Sequence, residues 1–345
     1  MKNITIGVDL AKEVIQVCIV KNNKVISNEE VTPEQFMLWL INAKPVTIVF
    51  EACSMSNYWK QQALKQGHDA KLVSARLVAM IRQNQKTDKN DALAVAQASQ
   101  LVDVNFINGK TFQQQEMQSI MRMRDLAISH KIAIHRQITA LLLEFNIRVS
   151  SRNGGLNGVV QSVLESADNG FVMAFRDALD ASWQHYLFQL ETIKTYEAAL
   201  EEIIKDHPEC EKLLALEGVG IINAINLYLT IGCGEGGVFK SGRDVSACIG
   251  LTSVQHSSGG KTKMGSVSKR VRNSSLRSCL VNGAMSIVHL MSKREPKTEK
   301  EQWLTALIER RGKLCAAVAL ANKTVRTAFA MLTQGTEYKA QPLQA

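Results

Sequence analysis

Residues 4–20 read ITIGVDLAKEVIQVCIV, two apolar, β-prone runs separated by a short break from Ala11 to Glu13. The pattern predicts a hairpin with Asp9 near the tip of its first strand. KVISNEEV at 24–31 continues it as a third strand, and Pro33, suited to a first helical turn, opens a helix to about Asn42. VTIVFEA at 46–52 is a fourth strand that ends on Glu51. A helix through YWKQQALKQ stops at Gly67, DAKLVSA is a fifth strand, and a helix carrying TDKNDALAVA follows.

Three strands in succession, then strands separated by helices, is the order expected of a ribonuclease H-like α/β layer. Its acids have a chemical reading. Asp88 and Asp91 are three apart at a helix start and project from one face. Taken singly, Asp88 reads as an N-cap and Asp91 as a first-turn partner of the helix dipole. Asp9 and Glu51 have no capping role, and an acid at the end of an apolar strand is costly to bury without a cation or a donor. Together the four carboxylates form an all-oxygen donor set of the kind magnesium prefers. A pair of such ions offsets the charge on the attacking and leaving oxygens in phosphodiester cleavage.

At 345 residues, nearly half of them apolar, the chain is globular and long enough for two or three domains. Its 41 Lys and Arg against 32 Asp and Glu give a net charge of +9, which favours a polyanionic partner. The seven cysteines are far apart, with no CxxC and no zinc spacing, and read as reduced thiols. No signal-peptide pattern opens the chain and no apolar run is long enough to span a membrane, so a cytoplasmic protein with no membrane partner is expected.

Three segments follow from these patterns: 1–107, the metal-binding layer; 108–209, a helical, coiled-coil-like connector; and 210–345, mainly helical. From Phe112 to about Phe145, Met117, Ile120, Met121, Leu126, Ile128, Ile132, Ile138, Leu141 and Leu142 make an apolar stripe on one long helix. A glycine and asparagine break at 151–158 separates it from further helices, the last from Trp183 to about Lys205. The pair fits either an intramolecular hairpin or a self-associating coiled coil.

In the third segment, LLALEGVGIINAINLYLTIG predicts a helix-hairpin-helix-like element whose Gly218 and Gly220 would let backbone amides approach a DNA phosphate. An ordinary helical hairpin with a glycine C-cap accounts for it equally well. GCGEGGVFKSGRD is no P-loop, because Phe239 stands where glycine must precede lysine. Between Asp244 and Glu295 there is no acid, while Lys261, Lys263, Lys269, Arg270, Arg272, Arg277, Lys293 and Arg294 give eight positive charges, the footprint of phosphate contact. QHSSGGKTKMGSVSKRVRNSSLRS within it reads as loops and helix starts, with Ser274 or Ser275 as a helix N-cap. Ser257 and Ser258, beside two glycines with His256 and Lys261 nearby, have the exposure and activation a nucleophile needs.

The acid tetrad, TDKNDA, the long central helix, LEGVGIINA, and SACIGLTSVQHSSGGKTKMG with SLR downstream together resemble the DEDD transposases of the IS110 insertion-sequence family, in its IS1111 branch. The Piv DNA invertases are relatives. The resemblance covers nearly the whole chain. It implies a RuvC-like first domain with Asp9, Glu51, Asp88 and Asp91 as magnesium ligands, and a C-terminal transposase domain with a serine nucleophile, Ser258. It further implies a recombinase that joins donor and target DNA through a phosphoserine link, works as a dimer or tetramer, and is directed by a structured guide RNA. Many members have a glycine where this chain has Val271, which leaves the Ser258 motif untouched.

Three other readings compete. A RuvC-like hydrolytic nuclease would need the acids but no serine. A sugar-kinase or actin-like ATPase would need a second such fold and a glycine-rich adenosine site, which the helical, basic second half lacks. A nucleic-acid scaffold would tolerate loss of all four acids.

Overall fold

The computed structural model describes residues 4–232, 239–267 and 274–343. Among them the chain divides into two compact units, one of residues 115–208 and one formed by 1–114 together with 209–345.

The first segment is a five-stranded mixed sheet with helices. Strands β1 (Ile4–Leu10), β2 (Ile15–Lys21) and β3 (Lys24–Val31) are followed by α1 (Pro33–Asn42), β4 (Thr47–Glu51), α2 (Ser56–Lys65), β5 (Asp69–Val73), α3 (Ala75–Ile81) and α4 (Asp88–Ala98). The strand order is β3-β2-β1-β4-β5. β1 to β3 pair antiparallel, whereas β1, β4 and β5 pair parallel. Side chains alternate between the two faces of a strand, so parity divides the core. Ile6, Val8, Ile48 and Phe50 pack with Phe36 and Leu40 of α1 and Trp59 of α2. On the opposite face Cys18 and Val20 meet Ala92 and Ala96, while Val49 and Val73 meet Val78, Ala94 and Val95.

The single helix expected after β5 is two. Ser74 caps α3 and Thr87 caps α4, each hydroxyl accepting from a backbone N–H three residues on, and the polar stretch RQNQKT lies between them. This corrects the N-cap reading of Asp88, which is the first residue inside α4.

The long helix α5 (Phe112–Glu144) appears as predicted, and α6 (Gly155–Glu165) begins inside the glycine break. The last central helix, α7 (Met173–Lys205), starts ten residues before Trp183. In the unit 115–208, Ile134, Ile138 and Leu142 of α5 pack with Leu156, Val159, Val160 and Val163 of α6 and Leu179 and Trp183 of α7. Arg124 donates to Glu197 at 2.6 and 2.8 Å, while Ile138 and Leu142 share a core with Leu179 and Trp183, so α5 and α7 run antiparallel. Part of the expected stripe faces outward: Leu126, Ile132 and Leu141 are exposed.

The third segment contains α8 (Pro208–Glu211), a 3-10 turn (Lys212–Ala215), α9 (Ile221–Gly232), α10 (Gly242–Ile249), β6 (Ser253–Ser258), β7 (Lys261–Val267), α11 (Ser274–Met291), α12 (Glu299–Arg311) and α13 (Lys313–Gln334). α13 packs against α9, α10, α11 and α12. No helix among the described residues is long and apolar enough to cross a membrane.

Candidate functional site

Four acids lie toward one end of the first segment, and the sheet register explains the placing of two of them. β1 and β4 run parallel with Thr5 beside Thr47 and Val8 beside Phe50, so one further step sets Asp9 beside Glu51. Both share parity with Gly7 and Val49 and therefore face α4. A Cβ on Gly7 would lie 2.2 Å from the carbonyl oxygen of Ala92 and 2.6 Å from the nitrogen of Ala96. Only glycine there lets the α4 backbone approach β1 so closely, which brings the first turn of α4 with Asp88 and Asp91 toward Asp9. A chain of hydrogen bonds holds that turn from the sheet side. Buried Gln16, the register partner of Asp9, donates to Asn28, and Asn28 donates to the carbonyl of Lys89 at 3.0 Å.

The electrostatics match the convergence. Burial raises the Asp9 carboxyl above its usual range, the charges of Asp91 and Asp88 raise it further, and the Leu10 N–H and Lys86 partly relieve it. Glu51 is likewise raised by burial, then by Asp9 and Asp91, with Lys86 and Arg82 opposing. Asp91 is 5% exposed and accepts from Arg82 Nη1 at 2.6 Å. Asp88 is exposed. Sequence reasoning passed over Arg82 and Lys86, although two cations just before TDKND are a visible countercharge.

Among the described residues no three His, Cys, Asp or Glu form a preformed cation cage. Arg82 holds one oxygen of Asp91, and the like charges of the acids oppose their closer approach. By donor type and charge the set nonetheless fits a hard divalent cation, since it supplies only oxygens, and two of its carboxyls are raised by burial first and then by neighbouring acids. Gln16 Oε1 adds a buried acceptor with no protein donor, on the side chain registered opposite Asp9.

The serine block departs from the expected loops and helix starts. Residues 253–267 form the β6–β7 hairpin, closed by Gly259 and Gly260 with φ of +55° and +76°. Positive φ at both central residues is the condition of a two-residue type I′ turn, which Gly-Gly satisfies without strain. The register pairs Ser258 with Lys261, Ser257 with Thr262 and His256 with Lys263. Alternation then puts His256, Ser258, Lys261 and Lys263 on one face, and Ser257 with Thr262 on the other. Both serines are exposed. Chemistry alone leaves the two serines equivalent; the pleat gives only Ser258 a basic face.

Other residues singled out from sequence are distributed as follows. Lys269, Arg270 and Arg272, with Val271, lie outside the described residues. Arg277 stands in the first turn of α11, where Ser274 and Ser275 are inside the helix. Arg294 is paired with Glu301 at 2.5 Å, which removes one charge from the basic run. Gly218 has φ +74° and abuts Gly283 of α11, where a Cβ would stand 2.5 Å from a carbonyl oxygen, so its glycine has a packing cause. A Cβ at Gly220 would meet nothing within 4 Å.

Two acids on neighbouring strands within the field of two more on α4, in a chain with a basic helical segment, fit the class of enzymes that act on nucleic-acid phosphodiesters. Comparison with known proteins narrows it. The model of the transposase IS116/IS110/IS902 family matches residues 210–299, and a DEDD transposase model of IS110 type matches residues 6–147. The transposase for insertion sequence element IS1111A of Coxiella burnetii is 33% identical over 98% of this chain and 92% of that protein. A probable family 20 transposase of Pseudomonas aeruginosa is 30% identical over 97% and 98%, and the transposase for IS1328 of Yersinia enterocolitica 28% over 98% and 99%. The chain belongs to the IS110/IS116/IS902 family of DEDD transposases. Membership implies a ribonuclease H-like fold for the acid-bearing segment.

Proposed function

We propose that this transposase cuts and rejoins donor and target DNA through a covalent phosphoserine link formed by Ser258, with Asp9, Glu51, Asp88 and Asp91 holding magnesium. The observation that supports the metal part of the reading is that β1 and β4 set Asp9 and Glu51 side by side in the field of Asp91, with Asp88 acting on Asp9, and the basic face that Ser258 shares with His256, Lys261 and Lys263 supports the serine part. A bound magnesium pair would supply charge to the scissile phosphate and its leaving oxygen. Ser258 Oγ would form the new bond to phosphorus as the bond to one deoxyribose oxygen breaks and that oxygen takes up a proton. His256, on the same face, would take the serine proton, and Lys261 and Lys263 would balance phosphate charge; their shared face with Ser258 supports these roles. Attack by a hydroxyl of the second DNA then reverses the step, so the number of phosphate esters is conserved and no ATP is consumed.

The segments would divide the work: 1–107 binds metal, 108–209 connects, and 210–345 presents the serine. Exposed Leu126, Ile132 and Leu141 on α5 support self-association as a dimer or tetramer. A structured guide RNA that selects both DNAs belongs to the same reading; the resemblance of the motifs and the net charge of +9 support it. Gly218, Gly220, Lys261, Lys263, Lys269, Arg270, Arg272 and Arg277 are the proposed nucleic-acid contacts, and the cytoplasm is the proposed site of action.

A second reading, a metal-dependent nuclease without a covalent intermediate, is favoured by the acids alone, since a DEDD centre can activate water without any serine. Expressing the chain with its native flanking DNA and lysing in hot detergent separates the two. Protein covalently joined to DNA in the wild type and in Ser257→Ala, but absent in Ser258→Ala, is the expected result. Nicked DNA with free ends and no adduct would leave the hydrolytic nuclease.

A further inference from the structure

The stretch GCGEGGVFKSGRD, which is no P-loop, contains Lys240, Ser241 and Gly242, and these residues open α10 against α13. A Cβ on Gly242 would lie 3.0 Å from Arg326 Cα and 3.3 Å from its carbonyl oxygen, so glycine lets the helix start directly on the α13 backbone. The approach closes one side of a cavity of about 690 Å³ whose cations are Lys240, Arg243, Lys323 and Arg326. All four are exposed, and among the described residues none has a carboxylate within ion-pair distance. The nearby acid of α10, Asp244, faces the cap instead and accepts from Ser241 Oγ at 3.0 Å. Lys323 lies 4.3 Å over the ring of Trp303 and also lines a second cavity of about 470 Å³, so the two cavities meet at this residue.

Four like charges around one cavity repel, and a folded chain holds them together at a cost unless a polyanion offsets it. We infer that this cavity is a second DNA contact, separate from the acid centre and from the Ser258 hairpin, in which Lys240, Arg243, Lys323 and Arg326 seat successive phosphates of a DNA strand. The four cations have two sources, Lys240 and Arg243 before and within α10 and Lys323 and Arg326 one turn apart on α13. Their spread suits a backbone rather than a single free phosphate. Contacts of this kind position DNA without reading sequence. The assignment to DNA rests on the transposase reading.

The test is fluorescence anisotropy of a labelled DNA duplex, without divalent cation, across about 50 to 200 mM salt. Each lost phosphate contact lowers the slope of log K against log salt by about one, so Arg243→Gln/Arg326→Gln should lower it by about two, equally for unrelated sequences. Lys21→Gln/Lys24→Gln removes the same net charge from the β2–β3 turn and should leave the slope unchanged. An unchanged slope in the first variant, or an equal fall in the second, overturns the site while wild-type binding leaves the transposase reading standing. A fall seen with RNA and not with DNA overturns the assignment to DNA. No DNA binding by the wild type, alone or with RNA transcribed from its native flanks, would overturn the proposed function together with this contact and leave the family assignment standing.

Discussion

Gly7→Ala tests whether the acid centre depends on the contact between β1 and α4. The added Cβ would stand 2.2 Å from Ala92 O, 2.6 Å from Ala96 N and 2.8 Å from Ala96 Cβ. Two of these three atoms are backbone, so no rotamer change relieves the clash, and α4 must retreat by about 1 Å to reach ordinary contact. Overpacking of this kind costs about 1–3 kcal/mol. For a unit of this size that corresponds to about 2–4 °C of Tm per kcal/mol. The retreat carries Asp88 and Asp91 away from Asp9, and a misplacement of about 1 Å at a reacting centre lowers rate by about a hundredfold. Thermal unfolding and metal-dependent DNA cleavage should therefore both respond. For unfolding alone, Gly220→Ala, where a Cβ meets nothing within 4 Å, is the control and should melt with the wild type. A Gly7→Ala protein with unaltered Tm and unaltered cleavage would show that the close approach of α4 is not what places the acids.

Other outcomes follow from single side chains. In a chelator, Asp9→Asn should raise Tm, because it removes a half-buried charge that faces Asp91 and Asp88, whereas Asp91→Asn should lower it by stranding Arg82; shifts of the same sign would contradict the charge map. Burial pushes the Cys18 thiol to about 11 and the Cys210 thiol to about 12, so in the native protein both should resist alkylation while exposed Cys53 and Cys315 react, as mass mapping of iodoacetamide adducts would show. Glu301 is held below the usual carboxylate range by Arg294 first, against an opposing effect of burial, with further help from the Lys297 N–H. A depressed acid stabilises above its unfolded value and loses that contribution as pH falls through the folded value. Wild type should therefore be more stable than Glu301→Gln at pH 7, and the gap should close below about pH 4 in denaturant titrations.

How much of this was legible depended on whether the determining contacts were local. Asp9 and Glu51 could be found because the strand alternation that exposes a core face also shows which polar residue interrupts it. The two helices after β5 read as one because Arg82 to Thr87 contains no glycine or proline; the signal lies instead in Ser74 and Thr87, hydroxyls set just before apolar or acidic turns. The serine hairpin was missed for a different reason. Its strands are exposed on nearly every residue, so no hydrophobic period marks them, and the only cue was Gly-Gly between SS and KT.

The basic residues show where local reading fails. Charge counted along 245–294 treats Arg294 as free, yet Glu301 in the next helix neutralises it, and counts nothing at Arg326, which α10 and α13 bring beside Arg243 from some eighty positions away. Neighbours in sequence share a field only when they share a surface, because exposed charges beyond about 8–10 Å are screened. The acidic centre escapes that difficulty, since a parallel register fixes Asp9 beside Glu51 through the same hydrogen bonds that form the sheet. Its fourth member does not: Asp88 is exposed, and besides the close approach of α4 to Gly7 the turn that carries it is tied to the sheet by Asn28, which donates to the carbonyl of Lys89. Asn28→Ala should therefore weaken the site through Asp88 while leaving the Asp9 and Glu51 strands paired.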